Sequence, residues 1–437
     1  MLIATRIQFL STTMWLFLFG LCARQLPAGL MVLHEPILVS GDGVELTGHP
    51  KGTVLRMAPG FKGAAMVLAQ GKNIKLSGLS IEGGRSANDP RIGLPPSNLT
   101  FAEFHQRTGI LADRVDGLEI TNVVLRQMPG MAIVVRGGRN AKLTQLHLED
   151  NGGLNAKGRN NATGGVLFED GVDLFVVSSC VFLRIRGNAL WTHSRYTSTR
   201  NTRGQFIRNH FEHIGRDAIQ IGHANNTRVH NNVGKYIGYP HEIVDAEGGG
   251  TPVGIDTAGN VDESDYDGNY FEEINGKCID LDGFHDGVVA LNQCLNSKPA
   301  SAYPFGHFGI VMNNTNPDMQ SSNIQIAKNR IEGMKYGAIF VIGTGHSIHH
   351  NTFLHLNTAH CSESGAGCTY FAGEPDLLRT GIYFGRRAER AAVTRGNKIE
   401  DNVISGWKMG DRCLGFAPGV DPKEQRAARN RCISEER

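Results

Sequence analysis

Three aspartates carry the strongest chemical signal in this chain: Asp256 in the segment GIDTAG, and Asp280 and Asp282 in CIDLDG. Carboxyls that share a small patch do one of two things. Their repulsion raises one pKa and so sets an acid beside a base, or together they recruit a cation. A second group of residue types suits sugar recognition, with Trp191 to stack on a pyranose face and Arg136, Glu169, His193, Gln220 and Asn313 to bond hydroxyls or a carboxylate. The small residues Gly222 and Ala258 leave a depression that His223 could reach. The expected catalytic residues are therefore Asp256, Asp280, Asp282 and His223, and the three aspartates are also the expected ligands should a metal bind. The plainer alternatives are corner hydrogen bonds for Asp282 and a solvated ion pair for Arg136 and Glu169.

Residues so far apart in sequence share a face only if a repeat brings them there. An apolar-alternating segment recurs as GILAD at 109–113, AIVVR at 132–136, GVLFE at 165–169, ALWTH at 189–193 and AIQIG at 218–222. It continues as GIDTA at 254–258, CIDLD at 278–282, GIVMN at 309–313, AIFVI at 338–342 and GIYFG at 381–385. A second series places Asn two positions before an apolar residue, from Asn209, Asn231, Asn269, Asn292, Asn329, Asn351 and Asn402, at spacings of 22, 38, 23, 37, 22 and 51. The short spacings are one turn of a solenoid, and the long ones are a turn plus an insertion. A unit of about 23 residues with no helical period is too short for a strand-helix-strand array, which needs roughly 30 or more. It suits a parallel β-helix, whose turns stack about 4.8 Å apart and whose corner Asn bonds the neighbouring turn.

Strand side chains alternate, so the column Ile110, Ile133, Val166, Leu190, Ile219, Ile255, Ile279, Ile310, Ile339, Ile382 points into the core. The next residue of each strand points out, giving Leu111, Val134, Leu167, Trp191, Gln220, Asp256, Asp280, Val311, Phe340, Tyr383. The second outward column reads Asp113, Arg136, Glu169, His193, Gly222, Ala258, Asp282, Asn313, Ile342. Polar groups thus gather in the middle turns. The diagonal from Asp256 to Asp282 would span about 8 Å between Cα atoms, compatible with the ~6.5–9.5 Å carboxyl separation of inverting glycosidases.

The insertions at 86–108, 195–204, 239–251, 297–306 and 359–379 must leave the solenoid as loops. Composition is globular: 437 residues, 55 of them Gly, with 40% hydrophobic and 20% charged residues, which excludes disorder and collagen-like fibre. A net charge of +2 provides no footprint for nucleic acid. Arg6, the apolar run from Met14 to Leu21 and the small residue Ala23 have the layout of a secretory signal, so residues 1–23 are expected to be removed on export, an uncleaved anchor being the alternative. The domain boundaries expected are a signal peptide at 1–23, a β-helix at 32–410 and a cysteine-containing C-terminal cap at 411–437. Export permits disulfides, for which Cys361/Cys368 and Cys413/Cys432 are the suited pairs, with Cys180 and Cys294 as candidates for a thiol that stays free.

The pattern resembles the right-handed parallel β-helix proteins of the pectin-lyase-like superfamily over about residues 35–410. That resemblance implies an all-β fold, a single-stranded right-handed parallel β-helix of about 11 turns with loop insertions. The aspartates look like those of β-helix polygalacturonase-type hydrolases, which carry Asn-Thr-Asp and Asp-Asp on consecutive turns; the turn after CIDLDG here reads GIVMNN where those have Gly-His-Gly. GFHDG at 283–287 is similar to the His-Asp pair of β-helix uronate epimerases, with Phe284 in place of their proline. The expectation is a secreted or periplasmic, monomeric protein that meets a polysaccharide or oligosaccharide, with no nucleic-acid partner and no membrane once the signal is removed. Hydrolysis by the three aspartates is the first reading and requires no cofactor. A calcium-dependent lyase or C5-epimerase, with Arg136, His193 or His223 removing the C5 proton, is the second; a non-catalytic glycan binder using Trp191 is the third.

Overall fold

The computed structural model describes residues 5–9, 12–16 and 23–436, apart from 94, 97, 105, 196, 247–249, 362–367, 369–373 and 375–376. Much of the expected signal segment therefore lies outside the described residues; within it, strands Thr5–Phe9 and Thr12–Leu16 pair antiparallel. No helix among the described residues is long and apolar enough to cross a membrane. The chain divides into two compact units, residues 1–216 with 242–245, and residues 217–241 with 246–437.

Each unit is a parallel β-helix with three strands per turn. In the first, Thr108–Asp113, Asp116–Thr121 and Val124–Arg126 pair in parallel with Ile133–Arg136, Arg139–Thr144 and His147–Glu149 of the next turn. In the second, Val253–Asp262, Asp265–Asp267 and Tyr270–Ile274 pair in parallel with Lys277–His285, Val288–Ala290 and Gln293–Leu295. The apolar column is in register as the sequence requires: Ile110, Ile133, Val166 and Leu190 stack in the first unit, and Ile219, Ile255, Ile279, Ile310, Ile339 and Ile382 in the second, all buried. The third sheet runs through seven stacked strands in each unit, from Gly29–Leu33 to His210–Ile214 and from Val233–Ile237 to Arg431–Glu435. The turns thus exceed the expected 11 or so. The surplus lies at the ends, where the repeat signature is weak. The segment expected to be a cap, 411–437, carries a further turn, since Leu414–Phe416, Arg426–Ala428 and Arg431–Glu435 extend all three sheets.

The corner asparagines form a continuous ladder in the second unit through Asn232, Asn269, Asn292, Asn329, Asn351, Asn402 and Asn430. Each side-chain oxygen accepts from both the backbone N–H and the Nδ2 of the preceding rung, at 2.8–3.1 Å. Each Nδ2 from Asn269 onward also donates to a strand carbonyl of the turn before, as Asn269 does to Val229 and Asn292 to Tyr266. Asn231, the residue read from the sequence, is displaced by its neighbour. It takes a left-handed φ of 54°, and Asn232 occupies the rung. In the first unit the same corner is apolar: Leu79, Val123, Leu146 and Cys180 hold it, each carbonyl accepting from the start of the next turn's strand, and Asn209 bonds Cys180 N–H at 3.1 Å.

Cys294 is not free. It bonds Cys278, whose Cα lies 6.2 Å away, because one turn of the solenoid brings two inward-facing strands together across the core. Cys361–Cys368 and Cys413–Cys432 are paired as expected, and Cys180 is the buried free thiol, its pKa pushed up to about 12 by burial. Substituting Asn292→Ala strips the acceptor from the buried Asn269 N–H and Nδ2 and the donor from the Tyr266 carbonyl and Asn329 Oδ1, and should cost about 3 kcal/mol in urea unfolding. Alkylation without reductant should label Cys180 only after unfolding and leave Cys278 and Cys294 unlabelled in either state, as peptide mass spectrometry would read directly.

Candidate functional site

The second unit assembles the aspartates. Parallel pairing puts Gln220 opposite Asp256, Asp256 opposite Asp280, and Ala258 opposite Asp282, which in turn lies opposite Asn313. Within this array the two carboxyls of CIDLDG have different surroundings. Asp280 is 5% exposed; Lys277 Nζ pairs with its Oδ2, while its Oδ1 is buried without a hydrogen-bond partner among the described residues. Asp282 is 9% exposed, and its two oxygens accept from Thr315, Oδ1 from the backbone N–H at 2.9 Å and Oδ2 from the hydroxyl at 2.6 Å. Burial, with the adjacent Asp280 charge adding to it, pushes the Asp282 carboxyl up to about 6, against the opposing pull of Thr315 and Lys277. One carboxyl is thus ion-paired and its neighbour is biased toward keeping a proton.

The rest of the surroundings follow from local structure. Thr315 is held in place by Arg390, whose Nε donates to its carbonyl at 2.9 Å, and by the reciprocal bonds between Asn314 and the Arg390 backbone. Asn313 is partly exposed, its Oδ1 accepting from Asn314 N–H at 2.8 Å. Gln220 and His223 are buried. His223 packs over Gly259, where a Cβ would fall 2.4 Å from its Nδ1, so only glycine fits beneath the ring. Asp256 is half-buried on the strand that also carries Thr257, whose hydroxyl meets the buried Tyr266 phenol at 2.9 Å. Of the GFHDG segment, His285 Nδ1 lies 3.0 Å from Asp262 Oδ1.

Sequence reasoning missed Lys277, Thr315 and His307. Lys277 follows Gly276 at a corner, where strand parity does not govern side-chain direction, and it lies outside the outward columns. Thr315 and His307 belong to loops joined to the strand Ile310–Asn313, and only the polar character of NNTN hinted at the first. Three carboxylates would be the donor set for a cation; Asp280 Oδ2 is paired with Lys277 and both Asp282 oxygens accept from Thr315, and no trio of His, Cys, Asp or Glu among the described residues is arranged to hold a metal ion.

The first unit holds Arg136, Glu169, Trp191 and His193, and their expected role as an open sugar subsite is corrected. The insertion at 86–108 folds back over this face. Trp191 is 4% exposed and packs in an apolar cluster with Phe101, Ala102, Met131, Val134, Ala162 and Leu167, its ring centroid 4.7 Å from that of Phe101. Glu169 is fully buried. It accepts from the Phe101 and Ala102 backbone N–H groups at 2.7 and 2.8 Å, and lies 2.8 Å from His193 Nδ1. His193 is also buried, edge-on to Phe101. Arg136 turns to the preceding turn instead and bonds Asp113 through two nitrogens, each at 3.0 Å. Glu169 is therefore an anchor for the insertion.

The raised Asp282 carboxyl fixes a sign for stability. A carboxyl with a folded pKa of about 6 against an ordinary 3.8 stabilises fully below pH ~4, and that contribution disappears as pH rises through about 6. Asn in its place has no such loss. Asp282→Asn should gain on wild type between pH 4 and 7.5 by up to about 3 kcal/mol, read from urea midpoints at successive pH values.

Comparison with known proteins agrees with this architecture. Residues 77–251 match the family model described as "Right handed beta helix region". No curated protein matches the sequence. Among solved structures, PfbA, a surface adhesin of Streptococcus pneumoniae, is similar with a TM-score of 0.53 at 12% identity, covering 88% of this chain and 83% of that one. The catalytic domain of a GH87 alpha-1,3-glucanase is similar with a TM-score of 0.51 at 9% identity, covering 94% of this chain and 64% of that one. The GH136 lacto-N-biosidase from Eubacterium ramulus is similar with a TM-score of 0.50 at 12% identity, covering 88% of this chain and 62% of that one. At such identities the likeness is one of fold, and this chain spans less than two thirds of either hydrolase. The three-sheet stacking, the register of its columns and the matched region together show that the fold of this protein is a right-handed parallel β-helix.

Proposed function

We propose that the protein is an exported carbohydrate-active β-helix that hydrolyses a glycosidic bond, with Asp280 and Asp282 as its acid–base pair. The observation that carries this reading is the difference between two adjacent carboxyls on one strand. Asp282, buried and raised to about 6, suits a general acid at neutral pH. Asp280, held in an ion pair with Lys277 beside Asp282, is assigned the complementary role of base or nucleophile. Asp256, in register on the preceding turn, flanks them. Gln220 and Asn313, at either end of the array, are proposed to bond sugar hydroxyls, with His223 at its edge. Two of the similar structures are described as a glucanase and a lacto-N-biosidase, and three cysteine pairs suit an oxidising compartment. Hydrolysis by this pair calls for no metal.

A second reading, a non-catalytic glycan-binding surface protein, has its support in the adhesin PfbA. Its binding would not pass through the buried Trp191. A panel of neutral and acidic polysaccharides, with calcium or chelator, separates the readings when reducing ends and ultraviolet absorbance are followed together. The hydrolase reading expects reducing ends without absorbance, unaffected by chelator, and a fall of about 10²-fold or more in Asp280→Asn and Asp282→Asn. Absorbance would establish a lyase in its place. Retained binding without turnover would establish the binder.

A further inference from the structure

We propose that Lys277 is a positioning residue of the aspartate site: its ammonium fixes the Asp280–Asp282 pair at one shared proton, with the charge on Asp280 and the proton on Asp282. This rests on the acid–base reading above. Lys277 opens the strand Lys277–His285, and its Nζ reaches Oδ2 of Asp280 three residues on. The two side chains are 13% and 8% exposed, so water screens their attraction weakly. Lys277 pairs with Oδ2, while Oδ1 is buried without a hydrogen-bond partner among the described residues.

The surroundings leave this role to Lys277. On the same strand the pair faces itself; on the preceding turn Asp256 lies opposite Asp280; on the following turn Asn313 lies opposite Asp282, and Thr315 bonds it. His307 lies near Lys277, but burial, reinforced by the charges of Lys277 and Lys335, pushes its imidazole down to about 3, so it brings no positive charge at neutral pH. Among the described residues, Lys277 is the cation that acts on Asp282. Two adjacent buried carboxylates with no cation bind their protons more tightly and titrate as an undivided pair, with neither assigned as base. With the ammonium on one of them the roles separate.

The test compares the full chain with Lys277→Met and Lys277→Arg by two readouts. One is a carbon-13 titration of the aspartate carboxyls, assigned with Asp280→Asn and Asp282→Asn; the other is the pH profile of kcat/KM on the polysaccharide that responds. In Lys277→Met the pair should lose its last proton about one unit or more higher in pH, and both limbs of the profile should move up with it. Lys277→Arg, which keeps the charge, should overlay the wild type. If the Met variant does not fold, Lys277→Gln takes its place with the same expected shift. Unmoved carboxyl midpoints in the uncharged variant overturn the inference, as does an equal shift in Lys277→Arg. A wild type with no hydrolysis overturns the hydrolase reading instead, and the carboxyl titration then decides the role of Lys277 alone.

Discussion

The hydrogen bond from one turn to the next is the constraint on which everything else in these units depends. Many strands are short, as Val124–Arg126 and Val288–Ala290 illustrate, and no single turn encloses a core of its own. Stacking solves both problems, because a parallel neighbour on each side satisfies the backbone and stacked isoleucines exclude water. Asparagine extends the same logic to the corner. Its amide has the two donors and the acceptor lone pairs that a bend in the chain otherwise leaves unmatched, and in the second unit they are used on both sides at once.

That stacking also creates the chemistry. Parallel register places Asp256 and Asp280 opposite each other without any loop having to bring them together. What separates the carboxyls is supplied at the margins of the sheet, by the lysine that opens their own strand and a threonine from the loop that follows Ile310–Asn313. The rigid part of the fold thus sets spacing, and the variable parts set protonation. In the first unit the variable part has the opposite effect, since an insertion seats Phe101 on the sheet and closes a face that carries equally polar residues.

The legible part of this protein was what repeats. The isoleucine column, the alternation around it and the opposition of the aspartates all follow from a period of two within strands and one turn between them. The ladder was read one residue off at Asn231 because two asparagines are adjacent there and only the φ of each distinguishes them. Nothing local marks Trp191 as covered: its burial depends on residues at 86–108, whose landing place is a tertiary event. Cys278 and Cys294 lie 16 residues apart on different sheets, so their proximity appears only once the turn is closed. Lys277 escaped for a related reason, as the inside–outside rule lapses at corners. The apolar corner of the first unit, with Cys180 in it, hid four turns from an Asn-based search.

The asparagine column is also a vector. Each rung's oxygen looks toward the earlier turn and its amide reaches toward the later one, so the two ends of the column are chemically unlike. An incomplete stack therefore ends in unmatched donors on one side and unmatched acceptors on the other. A turn added at the C-terminal side finds a ready template of donors, whereas a turn inserted upside down sets its own donors against them. The fold is in this sense a text with a reading direction, and a duplicated or deleted turn is grammatical only when it keeps that polarity.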